Sequence, residues 1–343
     1  MMSQKDDGAS DYVAMHDQQP TSTRGGQLRT FFAGLAVGGL VIGSLAFVWH
    51  ANMATASPAS DAPPSDAQSG RLSITNGCSS DPLWLANFAF QRPYFEQDIK
   101  LAAGETYEFD IPEEGLPATR FWAKWGCDDT GASCTIGMSG GPGEKCGEDG
   151  CAPPVDSKFE ATFGCLPGSK TKCAVNPSVP SQPLGPTDWW DVSQVDGWTL
   201  PYKVNVVGDC PKAPSTIDCS RLSLDRCPEW EDLGLAAGQQ TLRLLSKDKK
   251  HAVGCYAPCA KLTYSQWGQG LNLAPESQEA RNFCCPTPPI SPEECSGGPV
   301  VKTKYVQAVH ELCPKVYAYA YDDGIGLAQC PAGTRYEVTF FCP

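Results

Sequence analysis

The stretch Trp190-Asp191-Val192-Ser193-Gln194-Val195-Asp196-Gly197-Trp198-Thr199-Leu200-Pro201 is the part of the chain on which its reading turns. Two carboxylates stand five positions apart, Val192 and Val195 supply apolar anchoring between them, and Trp190 and Trp198 offer flat indole faces of the kind that stack on sugar rings. On either side, short runs alternate apolar and polar residues: Arg71-Leu-Ser-Ile-Thr, Tyr107-Glu-Phe-Asp-Ile, Arg120-Phe-Trp-Ala-Lys, Phe159-Glu-Ala-Thr-Phe, Tyr202-Lys-Val-Asn-Val and Tyr336-Glu-Val-Thr-Phe. Gly and Pro punctuate them, which is the patterning of a β-sandwich or barrel, so the expected fold class is mainly β. Between Cys210 and Cys313 the alternation fades and cysteines crowd in. A stapled, loop-rich region is expected over about 208–315, between core segments of about 71–207 and 316–343. Short helices are expected within it around Ser220–Leu224, Tyr256–Trp267 and Pro275–Phe283. No internal repeat is visible.

All 18 cysteines lie between Cys78 and Cys342. An even count at this density, outside any compact metal-ligand spacing, belongs to an oxidising compartment and a disulfide framework. The leader agrees. After a polar tail over 1–30, an uncharged apolar span at 31–50, with Phe31 to Trp49 at its centre, is long enough to cross a bilayer, and Arg24 and Arg29 precede it. The positive-inside rule then leaves the tail in the cytosol and the rest across the membrane. Two readings stay open: an uncleaved single-span anchor, or a signal peptide cut at the small-residue pattern Ala54-Thr55-Ala56. Residues 51–70, rich in Ser, Pro, Ala and Asp, read as a flexible tether. The remaining 71–343 suits one large domain, which holds 23 Lys and Arg against 33 Asp and Glu. That acidic balance argues against nucleic acid as a partner. The four histidines are too scattered for a triad or a metal site, no cofactor is expected, and no Asn-x-Ser/Thr sequon occurs.

The order of segments resembles the thaumatin-like proteins, the family of pathogenesis-related proteins of group five. The resemblance rests on Ile74-Thr-Asn-Gly-Cys78-Ser with Trp84-Leu-Ala, Arg120-Phe-Trp-Ala-Lys-Trp-Gly-Cys127, Cys151-Ala-Pro-Pro-Val and Phe159-Glu160-Ala-Thr-Phe. It continues through the Trp190–Pro201 stretch, Asp225-Arg-Cys227-Pro, Gly254-Cys255-Tyr-Ala-Pro-Cys259, Phe283-Cys284-Cys285, Cys313-Pro-Lys-Val-Tyr-Ala-Tyr-Ala-Tyr-Asp322-Asp323 and Val338-Thr-Phe-Phe-Cys342-Pro. It spans essentially all of 71–343 and implies a thaumatin-like β-sandwich. It also implies eight bridges: Cys78–Cys342, Cys127–Cys134, Cys146–Cys151, Cys210–Cys330, Cys219–Cys313, Cys227–Cys255, Cys259–Cys284 and Cys285–Cys295. Cys165 and Cys173 remain, both in an insertion over 164–188, and a ninth bridge is expected between them.

The resemblance further implies an acidic cleft lined by Glu160, Asp191, Asp196 and Asp322. Lys124 stands where the family usually places an arginine, keeping the charge without the bidentate fork. Trp190 and Trp198 are expected as sugar platforms, and Trp84 and Trp122 in the core. Paired carboxylates serve glycoside hydrolysis when one is held protonated and its partner ionised, and on that logic Glu160 is the candidate acid with Asp191 or Asp196 as the second group. The expected function is a monomeric, secreted or surface-anchored defence-type module binding β-1,3-glucan or a similar polysaccharide. The alternatives are an endo-β-1,3-glucanase and a protein-binding inhibitor or receptor-like ectodomain, since one fold hosts several activities.

Overall fold

A computed structural model describes residues 70–343 apart from 91–93, 141–145, 147–149 and 178. The apolar span at 31–50, the linker and the Ala54–Ala56 motif lie outside the described residues, among which no helix is long and apolar enough to cross a membrane.

Among the described residues the strands are, in chain order, β1 (Leu72–Asn76), β2 (Leu83–Ala89), β3 (Ile99–Leu101), β4 (Thr106–Phe109), β5 (Leu116–Cys127), β6 (Cys134–Ile136), β7 (Lys158–Phe163), β8 (Thr187–Ser193), β9 (Gly197–Trp198), β10 (Tyr202–Val207), β11 (Thr216–Asp218), β12 (Arg243–Leu245), β13 (Ala252–Tyr256), β14 (Ala328–Pro331) and β15 (Arg335–Phe340). One sheet runs β11-β10-β15-β1-β4, and a second runs β14-β8-β7-β5-β2-β3 with β6 added on β5. The chain's first and last strands, β1 and β15, pair in parallel, Leu72 beside Tyr336.

Period two along each strand sorts the side chains of the second sheet into two faces. On β7, Phe159, Ala161 and Phe163 are buried in the main core. On β8 the same face carries Asp188, Trp190 and Val192. Trp190 lies 6.0 Å from Phe159 and 5.2 Å from Tyr336, ring centre to ring centre, so aromatic contacts tie this sheet to the first. Aromatic burial of this kind dominates core energetics. Asp188 is the exception on that face and it is fully satisfied. Arg71 pairs with it at 2.5 Å, the Gly164 N–H donates to it at 2.7 Å, and the Tyr336 hydroxyl donates to it at 3.1 Å. Burial nevertheless outweighs these partners and pushes the carboxyl up to about 6.

The region expected to be loops supplies β12 and β13 of a third sheet, β12-β13-β9, and holds short helices. The third sheet depends on Gly197, since a Cβ there would lie 2.1 Å from the Cys255 carbonyl oxygen. The Tyr256–Trp267 helix is realised as α1 (Pro258–Thr263) with a 3-10 turn at Gln266–Gly268, and the Pro275–Phe283 helix shrinks to α2 (Arg281–Cys284). The Ser220–Leu224 expectation becomes a 3-10 turn at Leu224–Arg226. Two helices escaped the reading, α3 (Pro292–Ser296) and α4 (Lys304–Leu312), and α5 (Asp323–Gly326) follows them. α4 carries its own signals. Thr303 caps it by accepting from the Val306 N–H at 3.2 Å, and Tyr305, Val306, Val309 and Leu312 fall on one buried stripe.

The structure holds nine bridges: Cys78–Cys342, Cys127–Cys134, Cys146–Cys151, Cys165–Cys173, Cys210–Cys330, Cys219–Cys313, Cys227–Cys255, Cys259–Cys284 and Cys285–Cys295. Cys78–Cys342 closes a separation of 264 residues and Cys165–Cys173 one of 8. The loop-entropy argument makes the longer closure worth about 3 kcal/mol more. Paired Cys78→Ser and Cys342→Ser substitutions are therefore expected to lower unfolding stability by more than paired Cys165→Ser and Cys173→Ser. Denaturant midpoints check this, and equal losses would refute it.

Candidate functional site

On the other face of the second sheet, opposite the aromatic core, four strands place one residue each in a row. Phe88 on β2 registers with Arg120 on β5, Arg120 with Glu160 on β7, and Glu160 with Asp191 on β8. The contacts follow that order. The Arg120 guanidinium lies 5.7 Å from the centre of the Phe88 ring, and its Nε meets Glu160 Oε1 at 2.5 Å. The Glu160 side chain is 3% exposed and that of Arg120 17%. Glu160 is thus engaged in a largely buried ion pair.

Asp191 is fully buried, and neither carboxylate oxygen has a hydrogen-bond partner. Burial first, and the nearby Asp323 charge second, push its carboxyl well above the usual carboxylate range. Both causes favour the protonated form of this carboxyl. Asp196 shows the opposite balance. Burial raises it, but the Lys158 ammonium, the Tyr264 hydroxyl at 2.8 Å and the Arg120 charge outweigh that and hold it below the ordinary value. Asp322 accepts from the Ala318 N–H at 3.0 Å and lies 2.8 Å from His310 Nε2.

The disulfide-rich region covers this face through named contacts. Tyr264, just past α1, reaches Asp196, and His310 on α4 reaches Asp322. The Tyr305 hydroxyl donates to the Gln194 carbonyl at 2.6 Å, while its ring stacks on Trp198 at 5.0 Å. The 316–323 segment runs along the end of β8, where Tyr317 N–H donates to Val192 at 3.1 Å and Gln194 N–H to Tyr317 at 2.8 Å.

Several expected site residues therefore sit differently from their reading. Trp190 and Trp198 are completely buried, one in the sandwich and one under Tyr305, so neither offers a face to a sugar. Strand parity gives the reason: Trp189, not Trp190, shares the side of Asp191, and Trp189 is partly exposed. Lys124 is also completely buried. It pairs with Asp98 and donates to the Gly131 carbonyl at 2.6 Å, anchoring loops rather than lining a groove. The arginine beside Glu160 is Arg120, four positions earlier on the same strand face. The two carboxyl groups of the row sit in different environments: burial favours the proton on Asp191, while Glu160 is paired with Arg120. Trp84 and Trp122 are buried as read.

Two outcomes follow from this row. Arg120→Ala leaves Glu160 buried without its cation and is expected to cost about 3–5 kcal/mol, read from denaturant unfolding. Asp191 and Asp188 both hold their protons more tightly folded than unfolded, so stability falls as pH rises above the ordinary carboxylate value of about 4. Asp188 contributes to the decline up to about pH 6, and Asp191 contributes in the same direction. Asp191→Asn is expected to flatten the decline, so that its gain in stability over the unaltered chain grows toward higher pH. Unfolding midpoints from pH 4 to 8 measure it, and an unchanged slope in the variant would sink the assignment.

Comparison with known proteins adds to this geometry. Residues 76–343 match the Thaumatin family. A protein of Prunus avium named "Glucan endo-1,3-beta-glucosidase" is 28% identical over 289 residues, covering 81% of this chain and 92% of that one. "Thaumatin-like protein 2" of Prunus persica is 27% identical over 288 residues with the same coverage, 81% and 92%. Among solved structures, the thaumatin-like xylanase inhibitor TLXI aligns at 15% identity over 80% of this chain and 100% of its own, with a TM-score of 0.31. With the family match spanning the whole disulfide-bonded domain, the chain belongs to the Thaumatin family.

Proposed function

We propose that the domain is a non-hydrolytic polysaccharide-binding module of defence type, with β-1,3-glucan as its polymer. The observation that carries the non-hydrolytic part is the state of the carboxylate row. Hydrolysis needs two carboxyl groups flanking a sugar ring. Glu160 is tied to Arg120 at 2.5 Å, and Asp191 is sealed from solvent. Binding requires less. The rim of the same face keeps Arg120, Asp196 and His310 partly exposed, with side-chain exposures of 17%, 21% and 28%, and such groups donate to or accept from sugar hydroxyls. A relative's name, which is that of a glucan endo-1,3-beta-glucosidase, supports β-1,3-glucan as the polymer.

A hydrolytic reading has one observation in its favour. Burial favours the proton on Asp191 beside an ion-paired Glu160, the direction in which an acid and its partner are split. It requires the cover over Asp191 to open. The nine bridges suit an oxidising compartment, and the domain faces the lumen or cell exterior. It is either held by the span at 31–50 or released by cleavage near Ala56.

The full chain, expressed in an oxidising host and incubated with insoluble β-1,3-glucan, is expected to pellet with the polymer and release no reducing sugar. Release that disappears in Glu160→Gln or Asp191→Asn would replace the binding reading with the hydrolase. Absence from the pellet together with absence of release would remove both.

A further inference from the structure

Trp267 carries two costs at once. It sits at φ 54°, ψ 10° in the Gln266–Gly268 turn, left-handed backbone that a bulky residue adopts only under constraint. Its indole Nε1 is buried and has no hydrogen-bond partner, which native structures seldom leave so. A tryptophan serving packing alone has no need of either.

The turn is held firmly in this form. The Gln269 side chain grips the Leu245 backbone from both sides, accepting from its N–H at 2.9 Å and donating to its carbonyl at 2.7 Å. Lys261 donates to the Gln269 carbonyl, and at Gly270 a Cβ would lie 1.8 Å from the Tyr264 carbonyl oxygen. Trp267 is thereby fixed against the β12–β13 hairpin.

The indole lines a groove of about 730 Å³, within the range of roughly 300–1,000 Å³ typical of small-molecule sites. Ser133 and Thr135 come to it from the β5–β6 hairpin, and Ser246 and Asp248 from the tip of β12–β13. Asp128 and Asp248 are oriented by their own loops. Thr130 donates to Asp128 from its hydroxyl at 2.8 Å and its N–H at 3.0 Å, and Ser246 donates to Asp248 at 2.6 Å. Both signs of charge are present, since Lys247 also lines the groove, together with the imidazole of His251. An aromatic wall, several hydroxyls and fixed acceptors with little net charge fit a neutral, polyhydroxylated ligand better than an ionic one. None of Glu160, Asp191, Asp196 and Asp322 lines it.

We propose that this groove is an oligosaccharide subsite in which Trp267 supplies the stacking platform that the buried Trp190 and Trp198 cannot, and Asp128 and Asp248 accept from sugar hydroxyls. The inference rests on the polysaccharide reading above and assigns it a second contact surface. The test titrates the full chain with laminarihexaose by calorimetry. Trp267→Ala is expected to weaken binding about 10–30-fold, the scale of a truncated aromatic anchor, in a variant that a cooperative unfolding transition shows to be folded. Ser133→Trp, which fills the groove from the opposite wall, is expected to do the same, and it decides alone if Trp267→Ala fails to fold. Undiminished affinity in the folded variants overturns the groove and leaves the polysaccharide reading standing. If the unaltered chain does not bind laminarihexaose, the β-1,3-glucan reading fails. The groove is then tried with cellohexaose, xylohexaose and chitohexaose, where Trp267-dependent binding of one sustains it and binding of none overturns it.

Discussion

Arg120, Glu160 and Asp191 are neighbours only because β5, β7 and β8 stay in register where Arg120 meets Glu160 and Glu160 meets Asp191, past the shift between Leu116 and Thr119, and on that register everything else about the charged face depends. A shift of one residue on β7 would carry Glu160 into the sandwich and Phe159 out of it, exchanging a paired charge for an exposed ring. The aromatic packing of Phe159, Trp190 and Tyr336 and the ion pair on the opposite side therefore enforce the same alignment from two sides.

Once the register is set, the disulfide-rich region has a particular surface to close over. Its sparse secondary structure would hold little shape alone. Bridges within it and to the sandwich, Cys219–Cys313 and Cys210–Cys330 among them, keep α1 and α4 where Tyr264 and His310 meet Asp196 and Asp322. Closure leaves a buried carboxylate with no partner at Asp191, an arrangement that costs stability and that folding alone does not call for. Buried acids of this sort gather at functional sites more often than elsewhere.

The mainly β class was legible in the alternation of runs such as Phe159-Glu-Ala-Thr-Phe, because period two is a local property. The family followed from the order of motifs, and bridge partners came with the family rather than from the cysteines' spacing. What stayed illegible depended on pairing between distant strands. Alternation puts Arg120 and Lys124 on one face of β5, but only the register with β7 says that Arg120 is the one beside Glu160. The Trp190–Pro201 stretch supplies Asp191 and Asp196, yet whether its tryptophans face water or core is decided by the opposing sheet and by Tyr305. The missed α4 had a local signature in Thr303 and the apolar stripe after it, masked by the surrounding cysteines.

The pairing of the first strand with the last, sealed by Cys78–Cys342, turns the domain into a covalent ring. A single peptide cut anywhere inside that ring, including the glycine-rich stretch around Cys146, opens the loop without separating any fragment from the rest. A cut ahead of β1 removes only the residues before it and leaves the ring and its sheets closed.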